Sequence, residues 1–195
     1  MVEDQDALIQ ASDGGGAFPF GLMLWESAVA MADEMAARAR WLPGLRVLEL
    51  GCGLGLSGVV AAGLGADVTQ TDVDEAALAA CRRTAALNAV PLIQTVVGDW
   101  HHWPDLGQFD LIIGADVAYD PDDHSALLDV LARALEPDGL ALLADPQRTA
   151  QASLLALADA GGWIVTTSER HVLDLKPQTP GALRAITLLE LKRGV

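Results

Sequence analysis

The chain has 195 residues and a mass of 20.4 kDa, the size of one domain with room for a substantial core. Apolar residues make up 51% and charged residues 20%, which excludes a disordered chain, and no apolar run approaches the ~20 residues that cross a bilayer. Twelve Lys and Arg against 27 Asp and Glu give a net charge of −15, which repels a phosphate backbone and favours a cationic ligand or a protein offering a lysine.

The opening MVEDQDALIQ is acidic where an export signal is basic and then apolar. Two cysteines, Cys52 and Cys81, build no disulfide framework and stand in no metal-ligand spacing, so the expected compartment is the cytoplasm. Arginines outnumber lysines ten to two and alanine is abundant, the usage of a GC-rich bacterial genome. After Gly14-Gly15-Gly16, apolar residues at Leu22, Trp25, Ala28, Val29, Ala32, Met35 and Ala36 predict a helix over 22–41. Short runs at 46–50, 67–71, 93–97, 111–115 and 140–144 are apolar at nearly every position, as strands covered on both faces are. Amphipathic stretches at 58–64, 75–88, 124–135 and 150–160 alternate with them, which predicts an α/β fold with a parallel sheet. Asp72 or Asp74 can cap the second of these helices, Pro121-Asp122-Asp123 offers a cap to the third, and Pro137-Asp138-Gly139 is a turn. The strands at 163–169 and 184–191 have no helix between them and must pair antiparallel.

The chemistry starts at Gly51-Cys52-Gly53-Leu54-Gly55, where a buried strand runs into a bare turn and then a helix. Glycines there admit a ligand against the main chain, and the amides of the turn face it. A dinucleotide fingerprint needs its third glycine at position 56, which is Leu, so a nicotinamide cofactor fits poorly. Asp72, 21 residues after Gly51, can accept both hydroxyls of a ribose, cap a helix, or do both. Asp99 beside Trp100 can hold an adenine by its amino group and face, or Trp100 can be packing.

These segments, ELGCGLGLSG at 49–58, Asp72, GDW at 98–100, FDLIIGADVAYD at 109–120 and EPDG at 136–139, resemble a seven-stranded, class I S-adenosylmethionine-dependent methyltransferase. The resemblance spans residues 20 to 195 and implies a single-domain, Rossmann-like doubly wound sheet of order 3-2-1-4-5-7-6, strand 7 antiparallel, helices on both faces. Residues 1–40 are then an N-terminal extension and helix acting as a lid, and 41–195 the methyltransferase domain. It implies S-adenosyl-L-methionine as cofactor and S-adenosyl-L-homocysteine as product. The methionine part would lie over Gly51, Gly53 and Gly55, the ribose on Asp72, the adenine between Asp99 and Trp100, with Trp25, Glu49 and Ala115 completing the contacts. Leu24-Trp25-Glu26-Ser27 and the D-x-x-Y pattern of Asp116 to Tyr119 are similar to small protein-lysine methyltransferases. Asp116 and Tyr119 are therefore the expected catalytic residues.

An amine attacks a methyl carbon only through its free lone pair, and a lysine has pKa about 10.4. Desolvation by Trp25 and Tyr119 would lower that value, while Asp116 would orient the amine and oppose the shift. The expected acceptor is a protein with an accessible lysine, or alternatively a small nicotinamide-like amine; a cofactor-binding protein without activity is a further alternative. No nucleic acid, membrane or metal is expected, and the chain is read as a monomer. Asp120, Asp122, Asp123 and His124 read as a solvated helix start, Cys81 as core and Cys52 as filler. His101-His102 can line the cleft, and Arg148, just past the fifth strand, is a candidate substrate contact.

Overall fold

A computed structural model of the chain describes residues 20–90, 93–175 and 181–194. The apolar runs form one sheet: β1 Arg46–Leu50, β2 Asp67–Asp72, β3 Gln94–Val97, β4 Phe109–Ala115, β5 Leu135–Asp145, β6 Trp163–Leu173 and β7 Leu183–Arg193. Its order is β3-β2-β1-β4-β5-β7-β6, with β1 to β5 parallel and β7 antiparallel to both β5 and β6, as expected. The helices are α1 Glu26–Ala37, α2 Leu56–Gly63, α3 Glu75–Leu87, α4 His124–Ala134 and α5 Gln151–Ala160. β6 and β7 pair antiparallel from Trp163–Arg193 to Leu173–Leu183, and among the described residues between them there is no helix.

Alternation along the central strands divides the core. Val47, Leu111, Ile113 and Leu142 meet Met31, Met35 and Val59 from α1 and α2 on one face, while Leu48, Ile112 and Leu143 meet Leu127, Leu131 and Leu154 from α4 and α5 on the other. Burial on both faces holds for β1, β4 and the second half of β5. It fails at β3, an edge strand on which Val97 is half exposed, and along most of β6, the opposite edge. The turn at Pro137-Asp138-Gly139 lies within β5 as a bulge: Phe109 pairs with Leu135 and Leu111 with Leu140.

The first helix is shorter than its periodicity predicts, and a different face is buried. It starts at Glu26 because the Trp25 indole donates to Phe20 O (3.1 Å), folding the entering chain back on itself. Ser27, Ala30, Met31, Glu34 and Met35 point inward with Ala32, whereas Ala36 is exposed and Trp25, Ala28 and Val29 are half-buried. Counting apolar residues missed Glu34, which is buried because it accepts from Arg38 (2.6 Å) on its own helix and from Arg170 on β6. Arg38 also donates to Glu190 on β7, so a charged network ties α1 to the terminal hairpin. Of the lid expected over 1–40, residues 1–19 lie outside the described residues, and Phe20, Gly21 and Trp25 of the remainder line the cavity described below.

Candidate functional site

The carboxyl ends of β1, β2, β3 and β4 converge on one cavity, and the glycine turn after β1 forms its floor. Gly51, Gly53 and Gly55 have φ of 56°, 50° and 77°, a region that residues with a Cβ enter at a cost. Packing also requires them bare. A Cβ on Gly51 would lie 2.8 Å from Val117 Cγ1, and one on Gly55 2.4 Å from Cys81 Sγ. Beneath the turn lies a buried polar layer. Glu49 Oε2 accepts from Gly58 N (3.1 Å) and Gln70 Nε2 (2.5 Å), Gln70 Nε2 also donates to Gly55 O (3.1 Å), and Cys81 Sγ donates to Gln70 Oε1 (2.5 Å). Burial pushes the Glu49 carboxyl up to about 7. Contact with Cys81, together with burial, pushes the Cys52 thiol far up, so it stays protonated and serves as filler.

Asp72 braces the turn from the end of β2. Its Oδ2 accepts from Gly53 N (2.9 Å) and its Oδ1 from Asp74 N (3.0 Å). Asp74 is the residue that caps α3, accepting from Ala76 N (2.8 Å), so Asp72 is free of that task. Each Asp72 oxygen keeps a lone pair for one further donor. After β3, Asp99 accepts from His102 Nδ1 and His101 N, both at 2.9 Å, which holds its carboxyl below the usual range. Trp100 both lines the cavity and packs on the core against α4. His101 reaches across the mouth to Asp123, 2.9 Å away, and that contact raises its pKa.

The wall opposite the turn is the loop after β4. Asp116 takes φ of 58° and its amide donates to Ala144 O (2.8 Å), turning the chain over the end of β5. Val117 and Ala118 are buried, and the fully buried His124 donates from Nε2 to Ala118 O (3.0 Å). Tyr119 is left 58% exposed at the rim. The Asp116 side chain is 8% exposed and takes both arms of a guanidinium: Arg148 Nε donates to Oδ1 and Nη2 to Oδ2, each at 2.9 Å. Arg148 is absent from the cavity wall; it grips Asp116, which lines that wall.

The cavity measures about 500 Å³, within the range of small-molecule sites. Trp25, Gly51, Gly53, Asp72, Asp99, Trp100, Ala115, Asp116 and Tyr119 all line it, with Phe20 and Gly21 closing one end. Glu49 and Gly55 do not line it; they support the turn from below. Val117, which shapes the D-x-x-Y loop, went unread, and His124, read with the acids as a solvated helix start, is instead fully buried because its ring is held on Ala118 O. Among the described residues no group of three or more His, Cys, Asp and Glu is arranged to hold a metal ion. A glycine turn without side chains, a carboxylate with spare lone pairs at the end of β2, and an acid-aromatic pair after β3, all on one cavity, suit a nucleoside.

Comparison with known proteins agrees with this geometry. Histone-arginine methyltransferase METTL23 of Rattus norvegicus is 36% identical over 115 residues, 56% of this chain and 51% of the relative. Protein N-lysine methyltransferase METTL21A of Mus musculus is 38% identical over 129 residues, 63% of this chain and 59% of the relative. The chain thus spans little more than half the length of these curated relatives. Among solved structures, magnesium protoporphyrin IX methyltransferase of Synechocystis PCC 6803 with bound SAM superposes with a TM-score of 0.65 at 19% identity, over 86% of this chain and 78% of that one. Ribosomal protein L11 methylase of Lactobacillus delbrueckii gives 0.62 at 23% identity, over 89% and 81%. A family model described as lysine methyltransferase matches residues 3–155, well over half of the sequence, and the chain belongs to that family.

Proposed function

We propose that the protein transfers a methyl group from S-adenosyl-L-methionine to a lysine side chain of another protein, releasing S-adenosyl-L-homocysteine. One observation carries this reading: a single cavity joins the bare turn and Asp72 on one side to Asp116 and Tyr119 on the other. Gly51 and Gly53 would hold the methionine part, Asp72 the ribose, and Asp99 with Trp100 the adenine, with Trp25 and Ala115 completing the contacts. Glu49 and Gly55 act through the turn they support. When bound, the cofactor supplies a methyl group already activated by its positive sulfur. What remains for the chain is to hold a deprotonated amine in line and exclude water. Asp116 orients the amine, and Tyr119 offers its face to the cationic head.

A protein acceptor is supported by Tyr119 and Phe20, each 58% exposed at the rim, since a sealed chamber would suit a small amine instead. The charge of −15 favours a basic partner over nucleic acid. Among the described residues no helix is long and apolar enough to cross a membrane. Two free, buried thiols suit a cytoplasmic setting. Arginine is the second acceptor to test, because METTL23 relatives are named for it and Asp116 already takes a guanidinium. The test is incubation with methyl-labelled S-adenosyl-L-methionine and a cell lysate, followed by mass spectrometry. Label in protein lysine supports the reading. Label confined to arginine or to small metabolites replaces it with that acceptor, and no heat on adding cofactor or product in calorimetry ends it.

A further inference from the structure

We propose that Arg148 is a positioning residue for methyl transfer: by neutralising Asp116, it lets that carboxylate orient the acceptor amine without trapping the amine's proton. This rests on the amine-acceptor reading above. An isolated carboxylate within about 4–6 Å of an amine favours its charged form by 1–3 pH units, which withholds the lone pair that must attack. Asp116 alone would therefore orient the acceptor and disarm it together.

The geometry removes that conflict. Arg148 occupies one lone pair on each Asp116 oxygen at 2.9 Å, leaving a second on each for an amine N–H. The pair is then locally neutral while still accepting. Constrained backbone frames the pair: Asp116 itself has φ of 58°, and Gln147, the residue before Arg148, φ of 63°. Such conformations persist where the surroundings over-determine them. Here Asp116 N is fixed on Ala144 O, Gln147 Nε2 donates to Glu169 on β6, and Arg148 N donates to Asp145 Oδ1 (2.7 Å). Asp145 is itself 1% exposed. The segment bearing Arg148 is thus anchored on β5 and β6, with its guanidinium aimed at Asp116. Facing the pair are Asp145 and Tyr119, and around Tyr119 stand Asp72, Asp120 and Asp123. All of these carboxylates would strengthen the hold on an ammonium, and among these groups Arg148 is the one that opposes it. In the step itself the amine gives its proton to water. Its lone pair then forms the N–C bond, and the electrons of the broken C–S bond stay with sulfur.

The test compares the wild type with Arg148→Met and Arg148→Lys, measuring label entering protein lysines of a desalted lysate from pH 6.5 to 10 at saturating cofactor. Binding of S-adenosyl-L-homocysteine by calorimetry checks that each variant is folded. In Arg148→Met the rising limb moves up by about one unit or more, about tenfold slower at pH 8 with the gap closing toward pH 10. Arg148→Lys keeps the charge, so its limb stays at the wild-type position. A loss by the same factor at every pH in Arg148→Met makes the pair merely structural and overturns the proposal. If Arg148→Met fails to bind S-adenosyl-L-homocysteine, Arg148→Gln carries the same comparison with the same two outcomes. A wild type that binds S-adenosyl-L-homocysteine yet labels no lysine overturns the lysine reading and this inference with it, whereas wild-type label with an unmoved limb overturns this inference alone.

Discussion

Replacing Glu49 by Gln should remove a loss of stability that the wild type undergoes as pH rises from the acid range to neutrality. Glu49 is 3% exposed and burial pushes its carboxyl from 4.5 up to about 7. Between those values the folded chain holds a proton that the unfolded chain has released. Stability therefore falls as pH rises through 4.5 to 7, and levels off above. A gap of about 2.5 units at about 1.4 kcal/mol per unit is worth about 3.5 kcal/mol in all, of which about 2.5 kcal/mol falls between pH 5 and pH 8. Gln has the same shape, stays neutral, and its Oε1 can accept from Gly58 N and Gln70 Nε2 as the carboxyl does. The advantage of Glu49→Gln over the wild type should accordingly grow by about 2.5 kcal/mol from pH 5 to pH 8. Urea unfolding followed by tryptophan fluorescence at pH 5, 6.5 and 8 reads this directly. Parallel stability curves for the two chains would refute the reasoning, because they require Glu49 to be ionised in the fold throughout.

Gly55→Ala combines a φ of 77° with a Cβ 2.4 Å from Cys81 Sγ, and should lose about 2–4 kcal/mol in thermal or urea unfolding; a loss below about 1 kcal/mol means that the turn relaxes freely. Asp72→Ala frees Gly53 N and Asp74 N and removes the proposed ribose acceptor, so S-adenosyl-L-homocysteine affinity should fall about 10- to 100-fold by calorimetry. Asp116→Ala should leave that affinity within a few-fold while lowering turnover; abolished cofactor binding instead would exchange its role with that of Asp72. The contact with Asp123 raises the pKa of His101, so its stabilising effect is complete below about 6.5 and is lost as pH rises through the raised value. An NMR titration of the His101 ring in the wild type and in Asp123→Asn checks this, the variant titrating lower.

Strand order was legible because the connections differ in kind. Residues 75–88 and 124–135 carry a helical pattern between parallel strands, whereas the sequence of 174–182 offers Pro177, Pro180 and Gly181 instead, which pointed to the antiparallel pair observed. The face of α1 was misread because a stripe drawn from apolar residues omits Glu34, whose burial depends on Arg170, 136 residues away. Similarly, Gly51 and Gly55 read as room for a ligand, yet their Cβ positions are filled by Val117 and Cys81, which no local pattern reveals. The Asp116–Arg148 pair was half visible. Both residues lie just past the ends of β4 and β5, which are neighbours in the sheet, so opposite charges there were bound to come close.

The same pairing reconciles an acidic surface with the proposed reaction, which needs a neutral amine. Long-range attraction depends on net charge, and −15 draws a basic segment toward the mouth whatever the local bonding. Proton affinity depends on what lies within a few ångströms. At that range the carboxylates lining the cavity are already engaged: Asp72 by two amides, Asp74 by the Ala76 amide, Asp99 by His102 and an amide, Asp123 by His101, Asp116 by Arg148. Each accepts from the chain, so each competes less for an ammonium than its formal charge implies. Recognition and deprotonation are thereby separated by distance, the first set by the whole surface and the second by donors within the fold.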